Sequence, residues 1–570
     1  MPMSPPALLV TALREHAERR GDRPALTFAG FTDGPSVPPV TLTYAELDLR
    51  ARAVAGHLQG RDRPDRFVAV LCPQGEHFAV GFLGALYAGL PAVPLEEPEV
   101  FGSTSRLAAL LADSRPSCLL TTSAGQPALE RLRATHRELG AAEVILVDRV
   151  PDDEARRWTR PGITGDTLAY VQYTSGAVGS PRGVLVSHAN VGHTAQQCLS
   201  AFGPDPDCVV VSWLPLFHDM GLALGVTVPL LLGHHTVLTT PEAVMEDPAR
   251  WLRLLSQHRA HVTAGPGFAL EMCVAGTTDE ELGGLDLSAL TTLISGGETV
   301  RPATLRRFTQ RFARHGFVGT AHQPSYGLAE ATVLVSSTPR GQAPRVLRCD
   351  REALTRGVAL PVTRGGHALV ECGTAVDQRI AVVDRQRRRE LPPLRVGEVW
   401  VRGPNVTGGY HGQPGRTAEV FAARLEGSPA PWLRTGDLGF LHDGHLYLTG
   451  RIQDLIVIDG RNHYATDVEA TVEGASPLVR AGHVAAFPIP GEHSQRLVVV
   501  AEFAGTGPGT PVGPVAEAVR EAVRRRHGVA VADVVPLPPG SMPRTPSGKV
   551  RRSACRRQYL ERFTLPFRAR

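Results

Sequence analysis

The sequence predicts an α/β protein: a large N-terminal body of several subdomains, with mostly parallel sheets packed by helices, and a smaller α+β C-terminal lid. Three observations carry this. Short apolar runs alternate with helical patterns through the first half, the rhythm of parallel strands joined by crossover helices. From about Gly397 the texture changes to short strands and turns. Near the end, a strand–helix–strand pattern precedes a loop holding Lys549, the one lysine among 60 lysines and arginines.

Taken in order, 67–71 reads as a short buried strand, 76–88 as a helix, and 91–94 leads into the next strand. Residues 118–121, a helix near 126–139, and 143–147 repeat the cycle. Strands at 168–172, 209–213, 236–239 and 292–295 continue it. Residues 444–448, opened by Asp443-Gly444, form a hairpin arm, and 454–458 follows as a strand. The tail reads as a strand, a helix over 514–527, a strand over 532–537, a loop and an Arg-rich terminal helix. A boundary at about Arg451 to Asp454 divides the body, 1–450, from the lid, 451–570.

Length and composition narrow the function. A chain of 570 residues implies several domains, and 42% hydrophobic residues fit an ordinary soluble globular protein. A formal charge of +4 is too weak to argue for nucleic acid, and no basic run is interleaved with aromatics. No stretch has the length of a signal peptide's apolar core at 1–20, nor of a membrane span anywhere. The eight cysteines form no C-x-x-C pair and read as reduced core thiols of a cytoplasmic protein.

Five segments carry chemistry. Residues 173–183 read Y-T-S-G-A-V-G-S-P-R-G after a strand, a loop whose backbone N–H groups can surround phosphate oxygens. It lacks the G-K-[ST] of the Walker pattern. Residues 323–332 read Q-P-S-Y-G-L-A-E-A-T, with Glu330 suited to holding Mg²⁺ on a triphosphate. Residues 432–439 read W-L-R-T-G-D-L-G, with Asp437 able to accept both hydroxyls of a ribose. In L-T-G-R-I-Q-D, residues 448–454, Arg451 is available to ribose or phosphate. Lys549 closes the series: a compact ammonium on a flexible stem, which a planar guanidinium cannot imitate.

In this order the segments resemble the adenylate-forming superfamily of acyl-CoA synthetases, luciferases and nonribosomal adenylation domains, and within it the fatty acyl-AMP ligases. The narrower likeness rests on S-W-L-P at 212–215 with F-H-D-M-G at 217–221, S-Y-G-L-A-E at 325–330, and G-R-N-H-Y at 460–464. Alanine at 329, where synthetases usually have threonine, is a ligase mark. The stretch of about 338–372, ending in L-V-E-C-G at 369–373, resembles the insertion that restrains the lid in acyl-AMP ligases.

The resemblance implies that a carboxylic acid, most simply a fatty acid, attacks ATP to give acyl-AMP and pyrophosphate. A phosphopantetheine thiol on an acyl carrier protein, arriving in trans, then takes the acyl group. Lys549 would join carboxylate to α-phosphate, Glu330 would bind Mg²⁺, and Asp437 and Arg451 would hold the ribose, Arg451 alternatively phosphate. Thr174, Ser175, Gly176, Gly179 and Arg182 would surround the phosphates. Gly297 and Glu298 would line the adenine pocket beside Ser325, Tyr326 and Gly327. His218 would stand between carboxylate and acyl tunnel with Asp219 and Met220, Gly221 and Gly225 leaving room for that tunnel. Asp454 matches the hinge of a mobile lid.

Two alternatives stay open: an acyl-CoA or aryl-CoA synthetase, and a non-catalytic adenylate binder or carrier-docking module. The arginines at 551, 552, 556 and 557 could meet an acidic carrier or simply be solvated. His234-His235 lacks the aspartate and glycine of a condensation motif, since Thr239 and Thr240 follow instead. The loop departs from the family pattern at Ala177, Val178 and Arg182, where Ser-Thr and Lys are usual. Each lost hydroxyl is worth about 1 kcal/mol toward pyrophosphate. Restoring them as Ala177→Ser with Val178→Thr should therefore raise the rate of ATP–pyrophosphate exchange; an unchanged rate would count against a phosphate role for this loop.

Overall fold

Parallel strands need crossovers, and the alternation of apolar runs with helices supplies them. In the computed structural model, which describes residues 6–31, 38–60, 67–98, 104–136, 142–174, 181–203, 207–491, 494–504, 512–545 and 548–564, two such sheets form the body. One has six strands, in the order Glu143–Leu146, Cys118–Thr121, Val68–Val70, Ala92–Pro94, Leu168–Tyr173, Gly183–Ser187. All pair in parallel except the last two. The other has nine strands. Its parallel centre runs His322–Tyr326, Thr292–Ser295, Val262–Ala264, Val209–Ser212, His235–Leu238, Pro24–Phe28. Antiparallel edge strands close it on both sides.

A large apolar core joins the two sheets through the helices between them, with Phe78, Phe82, Tyr170 and Trp251 fully buried. The helix Glu76–Tyr87 lies almost wholly inside it. The helix Tyr44–Gln59 is started by a capping box, in which Thr43 Oγ1 accepts the Glu46 N–H at 3.2 Å and Glu46 Oε2 accepts the Thr43 N–H at 2.8 Å. The helix expected near 126–139 runs Gln126–Thr135, ending where the His136 N–H reaches the Leu132 carbonyl; 137–141 lie outside the described residues.

From Arg379 the chain forms an antiparallel five-stranded sheet ending in Leu433–His442 and His445–Arg451. Asp443 and Gly444, at φ +51° and +79°, make the two-residue turn between these strands. Beyond Ile452–Asp454 the chain builds a second core. Here a hairpin, Leu455–Ile458 with Arg461–Tyr464, and the helices Ala465–Glu473 and Val512–His527 pack on the sheet Val479–Ile489, Arg496–Phe503, Val531–Leu537. Between body and C-terminal unit lies the hairpin Val346–Cys349 with His367–Val370, carrying the short helix Arg351–Thr355. Leu354 and Leu369 share an apolar cluster with Phe440, Tyr447 and Tyr464.

All eight cysteines are free and buried. Among the described residues no helix is long and apolar enough to cross a membrane. Glycine is obligatory at 373, where φ is +69° and an added side chain would fall 1.8 Å from the Ser337 carbonyl. The substitution Gly373→Ala forces strain plus a backbone clash and should destabilise the body by about 3 kcal/mol, seen as a lower denaturant midpoint.

Candidate functional site

The nine-stranded sheet delivers three loops to one place, because parallel neighbours end on the same edge. Trp213 to His218 follow Val209–Ser212, Gly296 to Glu298 follow Thr292–Ser295, and Gly327 to Glu330 follow His322–Tyr326. The C-terminal unit brings the fourth loop, that of Lys549.

The Lys549 loop is tied tightly. The Thr545 N–H donates to the Lys549 carbonyl at 2.8 Å, the Gly548 N–H to the Thr545 carbonyl at 2.8 Å, and the Lys549 N–H to Thr545 Oγ1 at 3.0 Å. Arg544 Nη1 donates to the Gly548 carbonyl at 2.8 Å. Lys549 extends onto Gly297, whose φ is +79° and where a side chain's first carbon would sit 2.9 Å from Nζ. Gly297 thus serves both the turn and the approach of the ammonium. Burial lowers the pKa of Lys549, opposed by Asp219 and Glu298 and reinforced by Arg451.

His218 caps the helix Asp219–Leu222, with Nδ1 2.6 Å from Asp219 Oδ1. Burial would raise the Asp219 pKa, but His218, Lys549 and the Met220 N–H outweigh it and hold the carboxyl below its ordinary value. A helix with one wide π-turn, Ala223–Thr227, continues directly behind. His218, Met220, Trp213, Leu214, Phe268 and Lys549 line a mainly apolar cavity of about 340 Å³, with Glu242 also on its wall. Gly221 and Gly225, expected to leave room for a tunnel, are not among its lining residues. An added carbon at Gly221 would strike the Pro215 carbonyl at 2.0 Å, and Gly225 packs on Ser212 and Leu238. Their smallness serves close packing behind the cavity.

Glu330 receives the Tyr410 hydroxyl at 2.6 Å. Burial raises its pKa, countered by Tyr410 and reinforced by Asp219. Among the described residues no three His, Cys, Asp or Glu side chains gather as a full metal cage. One buried carboxylate is what Mg²⁺ takes when phosphates and water fill its other positions, so Glu330 fits that ion.

Asp437 faces Arg451 across the paired strands Leu433–His442 and His445–Arg451, with Nε 3.0 Å from Oδ1, and its Oδ2 accepts the Tyr326 hydroxyl at 2.6 Å. Each carboxylate oxygen keeps a further acceptor site for a hydroxyl. Burial, then Asp437, pushes the Tyr326 phenol up. Ser325 is occupied within the sheet, donating to the Gln323 carbonyl at 3.0 Å and to Ser337 Oγ at 2.9 Å. Gly327 sits where a side chain would meet the Val333 carbonyl at 1.5 Å, a packing demand. Glu298 is exposed, and its Oε1 accepts the Phe268 N–H at 3.0 Å.

The phosphate loop springs from a hairpin, since Tyr173 pairs with Gly183 and the Thr174 N–H donates to the Arg182 carbonyl at 3.1 Å. Ser175, Gly176, Ala177, Val178 and Gly179 lie outside the described residues. Asp454 pairs with Arg552 at 3.1 Å, and Arg552 also grips Glu469 through Nε and Nη2 at 2.6 and 2.7 Å. From the 338–372 stretch, Arg351 pairs with Asp467, and His367 Nδ1 lies 2.8 Å from the same carboxylate.

Sequence reading missed Tyr410, Phe268, Arg544 and Arg552 as parts of this site. Tyr410 had a signal, the Gly408-Gly409 pair before it: an added carbon at Gly409 would lie 2.3 Å from Thr417. Phe268 and Arg552 are identified by contacts distant in sequence, and Arg544 by one such contact and one to Gly548. His234-His235 is structural, the His234 carbonyl taking the Tyr44 hydroxyl and His235 Nε2 lying 2.8 Å from Thr27 Oγ1.

Residues 13–411 match the family described as AMP-binding enzyme, and 453–566 match the Disco-interacting protein 2-like AMP domain. The chain is 40% identical over 564 residues to the long-chain-fatty-acid–AMP ligase FadD26 of Mycobacterium bovis, covering 96% of each. It is 39% identical over 572 residues to the 4-hydroxyphenylalkanoate adenylyltransferase of Mycobacterium marinum, covering 97% of this chain and 91% of that one. The crystal structure of a fatty acyl-adenylate ligase from L. pneumophila, in complex with acyl adenylate and pyrophosphate, superposes with a TM-score of 0.75 at 32% identity, covering 98% of this chain and 96% of that one. With most of its length matched at this level, the chain belongs to the AMP-binding enzymes and, within them, to the fatty acyl-AMP ligases.

Proposed function

We propose that the protein converts a fatty acid and ATP to acyl-AMP and pyrophosphate, then passes the acyl group to the phosphopantetheine thiol of a carrier protein supplied in trans. The observation that carries this reading is the Lys549 ammonium, seated on Gly297 at an apolar cavity's wall, with the Asp219 charge favouring its protonated form. The cavity takes the alkyl chain and directs its carboxylate toward Nζ. There the ammonium offsets the charge of two anions that otherwise repel, so a carboxylate oxygen can approach the α-phosphorus. The new C–O–P linkage forms as the bond from α-phosphorus to the bridging oxygen breaks, and pyrophosphate leaves with that electron pair.

Asp437 accepts the ribose hydroxyls, with Arg451 and Tyr326 fixing its carboxylate. Glu330, oriented by Tyr410, would hold Mg²⁺, which supplies charge neutralisation on the phosphate oxygens. In the second step a thiolate attacks the acyl carbon and AMP departs as the C–O bond breaks. Asp454, at the junction between the two cores, supports a hinge that withdraws Lys549 and admits the thiol. The resemblance of 338–372 to the ligase insertion, and its contacts to Asp467, support a carrier-bound thiol over free coenzyme A as acceptor.

Two tests address the first step. Replacing the ammonium, Lys549→Ala, should slow fatty-acid-dependent ATP–pyrophosphate exchange by about 10²–10³-fold with little change in KM for ATP, as for loss of a transition-state contact. Parental exchange in that variant would refute the role. The pH profile is fixed by two opposite shifts. Glu330 must be ionised, and burial raises its pKa, so activity grows as pH rises through a value above 4.5. Lys549 must be protonated, and burial lowers its pKa, so activity is lost as pH rises through a value below 10.5. Profiles of kcat/KM for exchange should show both limbs, and an alkaline limb at or above 10.5 would contradict the burial of the ammonium.

A further inference from the structure

Away from the nucleotide contacts and from the 338–372 stretch, one charged pair among the described residues crosses from the body to the C-terminal unit. Arg301 stands at the N-cap of the helix Pro302–Phe312, four residues beyond Gly297. Its guanidinium grips the Glu473 carboxylate at two points: Nη1 on Oε2, and Nη2 on Oε1 at 3.2 Å. Glu473 is the last residue of the helix Ala465–Glu473, where the helix dipole disfavours a negative charge. Its side chain is only 10% exposed. An acid in that position gains nothing from its own helix, so its stabilising partners come from elsewhere.

Those partners lead to the active lysine. Besides Arg301, Glu473 Oε1 accepts the Gly482 N–H at 2.8 Å. The Gly482 carbonyl accepts Arg544 Nη2, and Arg544 Nη1 donates to the Gly548 carbonyl at 2.8 Å, next to Lys549. Every link after Glu473 lies within the C-terminal unit and would travel with it. Only the first spans the two, and a turn of the unit about Asp454 must break it.

We propose that the Arg301–Glu473 pair is a positioning latch: it holds the C-terminal unit, and through Arg544 the Lys549 loop, over the nucleotide for adenylation, and opens before thiol transfer. The proposal rests on the acyl-AMP reading above. It is separate from the 338–372 contacts, which meet the unit at Asp467. Neither residue touches the reacting atoms; both act through Lys549. Bidentate geometry makes Arg301 hard to replace by lysine.

The test is a double-mutant cycle on the full chain, read by pyrophosphate exchange with dodecanoate and by hydrogen exchange of the loop amides at 545, 548 and 549. Arg301→Gln and Glu473→Gln should each lower kcat about tenfold with KM for ATP nearly unchanged, a coupling of ordinary allosteric size. Arg301→Lys should fall between wild type and Arg301→Gln. The double variant should be no slower than the slower single, because removing both partners breaks the same link once. The loop amides should exchange faster in both glutamine variants while the thermal midpoint of the body holds.

Parental kcat in both singles, or losses that multiply in the double, would overturn the latch. If wild type exchanges no pyrophosphate with any fatty acid, the acyl-AMP reading fails; the loop amides then still judge the latch, which stands if they lose protection and falls if they do not.

Discussion

Burying a primary ammonium sets the terms for everything around Lys549. Desolvation works against its charge, and only Asp219 and Glu298 oppose that, while Arg451 adds to it. The protein alone leaves this cation under-compensated. On the proposed reading, anions brought by a nucleotide and a carboxylate would complete the balance. Asp219 keeps its own ionised form through His218 and the same lysine. One cation and one anion thus favour each other's charged forms.

The architecture follows from getting these groups together. A parallel sheet places successive strand ends on one edge, so loops separated by about a hundred residues in sequence become neighbours. The antiparallel sheet that begins at Arg379 contributes something different: paired strands fix Asp437 opposite Arg451 by register alone. The C-terminal unit has its own core and supplies Lys549 from outside. A residue on a separate body can be delivered and withdrawn, which a residue on the sheet cannot.

Much of this was legible in sequence, and what was not shares a physical cause. The strands near 118–121, 209–213 and 292–295 appear within a residue or so of expectation, because their apolar runs have buried-strand length. Lys549 stood out by being alone. By contrast, the sequence reading did not identify Pro24–Phe28 as a strand of the large sheet, since its partner, His235–Leu238, lies two hundred residues away. Gly221 and Gly225 were read as space for a ligand, and the close approach of Pro215 to one and of Ser212 and Leu238 to the other is a packing demand that composition does not announce. Arg552, one of 59 arginines, was read as a carrier contact or a solvated group, and its pairing with Asp454 and Glu469 shows only in the folded chain. Local pattern reports local structure, and long-range pairing leaves no periodic trace.

The concealment of the thiols has a chemical corollary. An acyl-phosphate anhydride is an electrophile, and its maker is the first protein it meets. Here every cysteine is buried, and burial pushes the Cys349 thiol up to about 11 and those of Cys198, Cys372 and Cys555 to about 12, so hardly any thiolate exists at neutral pH. The single lysine side chain lines the pocket, so the thiols and the one side-chain amine are both withdrawn from the surface. Those two kinds of nucleophile are thereby kept from the product of the site.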